Sequence, residues 1–432
     1  MEMKFKPYEE YKKVDLPWID EIPSHWEMKK IKYIFSERNE RGKEREPLLV
    51  ASQRHGVILK SMYENRTVEA LRNLESLKYV NVGDFVISLR SFQGGIEYAY
   101  YSGIISPAYT IMIPKGEVVR RYFKYLAKSY NFIKLLQTCV TGIREGQNID
   151  YNKLRDQKIF LPPKEEQDKI ADFLDHNLSK IDKFIELTER QIELLKEQKE
   201  VIINDAVTKG IDKDVEYKDS GIDGIGEIPK HWGRDKTIRI FKRIGSGTTP
   251  NSSNLNYYNN GQYNWINSGD LKSKYLYKSK NKITDIAVNE NPSLKLFQEN
   301  TIVIAMYGAT IGNLSILKKE SYMNQACCGL AQYEDDYIVN YSYFALQSIK
   351  QFLLESARGG GQPNISQDII KQTWLPIPPK KEQEEIVSYI EKETSKIDRT
   401  IELYKSQIDL IKEYRTSLIA SAVTGKIDVR DF

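Results

Sequence analysis

Few residues in this chain have the type and spacing that bond-making chemistry needs. The four histidines, His25, His55, His176 and His231, are too scattered to offer a metal-ligand spacing. Two of them, His25 and His231, each precede a tryptophan (Trp26, Trp232) in a repeated Glu-Ile-Pro-x-His-Trp segment, which assigns them to structure. Three cysteines, Cys139, Cys327 and Cys328, make neither a disulfide framework nor a zinc site, the pattern expected in a reducing compartment. The run from Gly308 to Gly312 lacks dinucleotide-turn spacing, and no GxxxxGK[ST] phosphate loop occurs. Backbone amides of Arg358-Gly359-Gly360-Gly361 could hold a phosphate, or the run could simply connect. What the chain does offer is hydrogen bonding. Ser88, Arg90, Ser91, Gln93 and Gly94 form one cluster, Asn267, Ser268 and Lys272 a second, Tyr307, Gly308 and Thr310 a third, and Asn324 and Gln325 a fourth. Polar side chains interleaved with glycines, which let another backbone come close, suit recognition rather than catalysis.

The elements that must position these clusters are written twice. From Leu161 and again from Ile377 the chain reads Pro-Pro-Lys, an acidic turn, and a long charged stretch; the copies align without a gap at an offset of 216. Proline suits the first helical turn, and Glu165, Glu166, Glu382, Glu384 and Glu385 complement the helix dipole. Apolar residues then recur at alternating spacings of four and three. One copy gives Leu174, Leu178, Ile181, Ile185, Ile192, Leu195 and Ile202; the other gives Ile390, Ile397, Ile401, Ile408, Ile411 and Leu418. Thr188, Lys199, Ala206, Thr394, Tyr404, Arg415 and Ala422 occupy the remaining seam positions. A heptad stripe of this length predicts a coiled coil, and the most economical partner for each helix is the other copy.

A second repeat precedes the first. Tyr11-Lys12 and Glu21-Ile22-Pro23-Ser24-His25-Trp26 return as Tyr217-Lys218 and Glu227-Ile228-Pro229-Lys230-His231-Trp232, at an offset of 206. Each half therefore has an opening, a mixed body, a Pro-Pro step, a long helix and a Gly-Ile-Asp or Lys-Ile-Asp tail. The bodies show strand-like runs, Gly turns and one helical stretch each, from Arg120 and from Tyr343. The layout predicts an α+β protein with two α/β-type domains separated by a long antiparallel two-helix coiled coil. A pseudo-twofold repeat relates the halves and returns the end of the chain beside its start. The expected division is 1–160, 161–208, 209–226, 227–376, 377–424 and 425–432.

At 432 residues, more than one core is expected. A net charge of +4 permits nucleic-acid binding without demanding it. No apolar run approaches the ~20 residues of a membrane span, and the start, MEMKFKPYEEYKK, has no apolar core for a signal peptide. A cytoplasmic protein without membrane contact is the expectation.

The ordered motifs, twice over, resemble the specificity (S) subunit of type I restriction–modification enzymes along essentially the whole chain. In the second body GSGTTP, WINSGDL, AMYGATIG and NQACCG are similar to motifs of that family's target-recognition domain; in the first, VGDFVISLRSFQGG and GIISPAY are. The first body lacks the GTTP and NQAC counterparts. The EIPxHW openings and PPKxEQ helices resemble its conserved regions. The resemblance implies a subunit without catalysis of its own, in which each domain reads half of a split double-stranded DNA target. The coiled coil would set the unread spacer, and two methyltransferase (M) subunits would dock on the conserved regions, with restriction (R) subunits joining. S-adenosylmethionine, ATP and Mg would be bound by those partners, with no cofactor or metal in this chain. The motifs agree: an amino-methyltransferase needs an Asn/Asp-Pro-Pro-aromatic loop, whereas both Pro-Pro sites here precede lysine. On this reading the four polar clusters would be the DNA-contacting loops, since base edges are read by Arg, Asn, Gln, Ser and Thr. The alternative is a coiled-coil scaffold whose two globular heads bind another ligand.

Overall fold

The two Glu-Ile-Pro-x-His-Trp openings fold identically, as the second strand of a hairpin that the preceding Tyr-Lys begins. Tyr11–Leu16 pairs with Ile19–Pro23, and Tyr217–Ile222 with Ile225–Pro229, both antiparallel and both with a register shift in the same place. The computed structural model describes residues 5–63, 73–142, 148–357 and 364–432. The Arg358–Gly361 run lies outside these. The chain divides into two compact units, Met1–Glu189 with Lys405–Phe432, and Arg190–Tyr404.

In the first unit a four-stranded sheet runs in the order Phe35–Arg38, Thr110–Pro114, Phe85–Ile87, Glu97–Tyr98. Its core is aromatic: Phe123 lies 4.6 Å from Phe35 and 4.8 Å from Phe85, ring centre to ring centre. In the second unit a five-stranded sheet runs in the order Phe241–Ser246, Cys327–Tyr333, Ile302–Ala305, Leu314–Leu317, Tyr275–Leu276. Beside it stands a three-stranded sheet of Asn281–Ile283, Tyr263–Ile266 and Tyr322–Met323. The single helical stretch expected in each body is two helices. Arg120–Leu126 stops and Tyr130–Thr138 starts afresh, because the Ser129 side chain caps the second by accepting from Phe132 N–H. In the second unit Val339–Ser348 gives way to Lys350–Glu355 at Ile349, without a side-chain cap.

A strand pair closes each body just ahead of its Pro-Pro step. Glu27–Lys30 pairs with Lys158–Leu161, and Gly233–Lys236 with Trp374–Ile377. The long helices then run from Lys164 to Lys209 and from Lys380 to Val423, on the order of 65–70 Å each at 1.5 Å per residue. The prolines stand immediately before each helix rather than inside its first turn, and the Pro163 carbonyl accepts the first helical bonds.

The first-turn Glu and Gln of each helix do more than face a dipole. Glu166, 5 % exposed, accepts from Trp26 Nε1 at 2.8 Å and meets His25 Nε2 at 2.7 Å. The Tyr8 hydroxyl donates to the same carboxylate. In the second unit Glu382 accepts from Trp232 Nε1 at 2.9 Å and meets His231 Nε2 at 2.9 Å. Gln167 accepts from Val119 N–H at 2.9 Å and donates to the Glu117 and Pro162 carbonyls. Gln383 repeats this with Ile338, Asp336 and Pro378. Glu thus fastens the opening to the helix, and Gln fastens the body's own helix pair. The assignment of His25 and His231 to structure is accounted for by these contacts.

Within each unit the long helices pack antiparallel. In the first, Lys169 reaches the Arg430 carbonyl while Asp182 accepts from Arg415 at 3.3 Å. Leu174, Leu178, Ile181, Leu418 and Ala422 share one core there, with Ile185 and Ile411 half-buried against it. In the second, Lys199 donates to Asp398 at 2.6 Å, and Ile203 shares a core with Ile386 and Ile390. Ile192, Ile397, Ile401 and Ile408 are also buried, and Leu195 and Ile202 half-buried. Burying such a side chain contributes about 1.5–3 kcal/mol, against at most about 1 kcal/mol for an exposed ion pair. The apolar seam therefore holds the helices, and the two ion pairs, equivalent under the repeat, favour one register.

Candidate nucleic-acid interface

In the first unit the cluster from Ser88 to Gly95 is a single turn of helix at the end of the strand Phe85–Ile87. Ser91, 1 % exposed, points inward; its hydroxyl accepts from Ser88 N–H at 2.8 Å and shapes the turn. Gly95 ends the turn at φ +83°, and a Cβ there would stand 2.3 Å from the Ala127 carbonyl, so no other residue fits without movement. The result presents Arg90 and Gln93 to solvent, with Ser88 and Gly94 half-buried between them. A neighbouring hairpin turn, Ser52 to Gly56, is brought alongside, where Gln53 Nε2 donates to the Arg90 carbonyl at 3.3 Å. Exposed Gln53, Arg54 and His55 thus extend the polar surface. The sequence signal for them was a donor-rich stretch before Gly56, whose φ is +72°.

In the second unit three of the expected loops converge. Asn324 Nδ2 donates to Asn267 Oδ1 at 3.0 Å, and Asn324 Oδ1 accepts from Ala326 N–H at 3.1 Å. The Asn324 amide is therefore engaged within the protein. Asn267 and Asp270 close a capping box around Ser268. Gln325 is exposed, and its side-chain oxygen accepts from the Thr249 hydroxyl, which adds the Gly247–Pro250 segment to this surface. Met306 N–H donates to the Ala326 carbonyl at 2.8 Å, setting the Tyr307–Thr310 turn beside Asn324 and Gln325. Gly308 has φ +85° and open space around it; Tyr307 and Thr310 are half-buried. Lys272 departs from the group: it lines a groove with Lys274, Glu391 and Asp398 in the same unit. Among the described residues no group of three or more His, Cys, Asp or Glu could hold a metal ion, and no helix is long and apolar enough to cross a membrane.

Two α/β bodies, each fastened to a paired helix by a Glu–Trp–His junction and each carrying its own polar surface, define a tandem recognition protein. The type I restriction modification DNA specificity domain matches residues 23–197 and 234–413, and the chain belongs to that family. Over 453 aligned residues it is 24% identical to the putative type I restriction enzyme MjaX specificity subunit of Methanocaldococcus jannaschii, covering 99% of both chains. It is 25% identical to the EcoR124I/EcoR124II specificity subunit of Escherichia coli over 41% of this chain and 46% of that one. A solved chain from a study of complex assembly and conformational transition in the type I R-M system has the same fold. Its TM-score is 0.71 at 14% identity, over 94% of this chain and 99% of that one. The HsdS subunit from Thermoanaerobacter tengcongensis matches at a TM-score of 0.54 and 14% identity, over 94% and 98%. The scaffold alternative is not favoured by these findings.

Proposed function

We propose that this chain is the non-catalytic sequence-specificity subunit of a type I restriction–modification complex. Each body reads one half of a bipartite double-stranded DNA target, and the paired helices set the spacer. The observation that carries this reading is the duplicated junction: Glu166 with Trp26 and Glu382 with Trp232 make each body a separately fastened reader. Two methyltransferase subunits dock on the helices, and restriction subunits join them. Along the first helix Leu187, Leu194 and Val201 recur every seven residues and stay exposed, as do Leu403 and Leu410 on the second. Such stripes support partner docking. S-adenosylmethionine, ATP and Mg belong to those partners, and the complex works in the cytoplasm, where the DNA is.

The test is a methylation map of cells expressing the chain with its methyltransferase. It should show one split target, and the purified chain alone should neither methylate nor cleave DNA. Methylation or cleavage by the chain alone would overturn the reading.

A further inference from the structure

Directly behind the exposed Arg90–Gln93 turn lies an ion pair between a buried carboxylate and a half-buried lysine, which the recognition chemistry leaves unexplained. Glu97 is fully buried, and its Oε2 accepts from Lys128 Nζ at 2.6 Å. The lysine has two further acceptors: the Gly94 carbonyl at 2.9 Å and the Gln53 carbonyl at 3.2 Å. All three ammonium donors are thereby used. One cation therefore ties together the reading turn, the neighbouring hairpin turn and the sheet strand beneath them. Among the described residues Glu97 Oε1 has no hydrogen-bond partner. Burying a carboxylate with one oxygen unsatisfied is a poor way to gain stability, since well-packed apolar residues of similar volume often do as well or better. Its geometry, three acceptors converging on one donor group, is suited to holding a position.

The second unit has a counterpart built from different chemistry. Gly312 closes the turn after Ile302–Ala305 at φ +76°, as Gly95 does in the first unit at +83°. A Cβ on Gly312 would touch Lys350 Cε at 3.2 Å; one on Gly95 would meet Lys128 Cα at 3.1 Å. Both lysines stand where the paired helices of their body break. Lys350 Nζ, however, donates to the neutral Asn313 side chain at 2.9 Å.

We propose that Glu97 and Lys128 are positioning residues for DNA reading by the first body, clamping the Ser88–Gly95 turn against the Gln53 turn so that Arg90 and Gln93 meet bases in one register. This rests on the assignment of that turn as a reading loop. The clamp belongs to one body only, so its loss acts on one half-site only.

The experiment uses the full chain in complex with its methyltransferase, and duplexes altered in one half-site at a time. Three variants are compared: Lys128→Met, Glu97→Gln and Arg90→Ala. Lys128→Met is expected to lower discrimination at the half-site read by the first body about tenfold or more, with the other half unchanged. Amide hydrogen exchange at residues 91–95 should quicken in the same protein. Glu97→Gln, which preserves shape, should lose about threefold at the same half, and it decides the matter if Lys128→Met lowers the melting temperature. Full discrimination in both clamp variants alongside a loss in Arg90→Ala would overturn the clamp while leaving the reading loop intact. No effect from any of the three would overturn the loop assignment and the clamp with it.

Discussion

Glu166 and Trp26 stand 140 residues apart in sequence and 2.8 Å apart in the fold, carboxylate to indole N–H. The pair joins the opening of the first body to the first turn of the helix that leaves it, and Tyr8 and His25 complete the junction. At the repeat offset of 206, Tyr8 corresponds to Asp214, so the second junction has no matching hydroxyl. Glu382 is also more open, with a side chain 19% exposed against 6% for Glu166.

Hydrogen bonds to a charged group contribute about 1.5–3 kcal/mol each at most. Glu166→Gln is therefore expected to destabilise the protein by about 2–3 kcal/mol and Glu382→Gln by about half that. Denaturant titration of the two variants checks the order. Equal losses would mean that Tyr8 adds nothing.

Exchanging the second body for one from another family member should change one half of the DNA target and leave the other. Gly233–Lys236 pairs with Trp374–Ile377, so a swap of 237–373 keeps a native strand pair at the junction. A swap of 233–376 brings in both strands of the donor's pair and parts only Gly233 from Ile377, so both chimaeras are expected to fold. Methylation maps of both chimaeras decide.

Burial pushes the Glu97 carboxyl from its ordinary 4.5 up to about 7, with Lys128 pulling the other way. Between those values the folded protein holds a proton that the unfolded chain does not. The stabilising contribution is therefore complete below pH 4.5 and is lost as pH rises through 7, a change of about 3 kcal/mol. Melting temperatures measured between pH 5 and 8 should fall more steeply in the parent than in Glu97→Gln. Parallel curves would show that the carboxyl does not titrate in this window.

The helices can be tested as a ruler. Four residues inserted after Thr188 and four after Tyr404 fall at the boundaries of the two units and leave the ion pairs Asp182–Arg415 and Lys199–Asp398 untouched. The added rise is about 6 Å, with about 40° of extra turn, a stutter that locally unwinds the supercoil. Unchanged half-sites, a spacer wider by about one or two base pairs and weaker binding are expected. The original spacing at full activity would show that the helices do not set the distance.

Much of this was legible in the sequence because the signals were local or periodic. The seam from Leu174 to Leu418 follows from a repeat of 3.5 residues, which needs no knowledge of distant partners. Glu166 and Glu382 were legible only as first-turn acids, since their true partners lie 140 and 150 residues away. Ser91 and Asn324 illustrate the same limit within a loop. Composition places both among groups suited to reading bases, yet Ser91 turns inward to Ser88 and Asn324 is engaged by Asn267. Which face of a tight turn a hydroxyl takes depends on packing behind it, here Ala127 against Gly95.

The Tyr122 hydroxyl donates to the Val423 carbonyl, 301 positions further along the chain, Tyr11 reaches the Gly425 carbonyl, and Asp428 N–H donates to the Lys6 carbonyl. In the second unit Tyr341 finds its equivalent partner, Val207, in chain made earlier. The order of synthesis therefore reverses the order of completion. The body translated first emerges from the ribosome lacking a wall and waits for residues 423–430, while the body translated second meets its missing piece already in place.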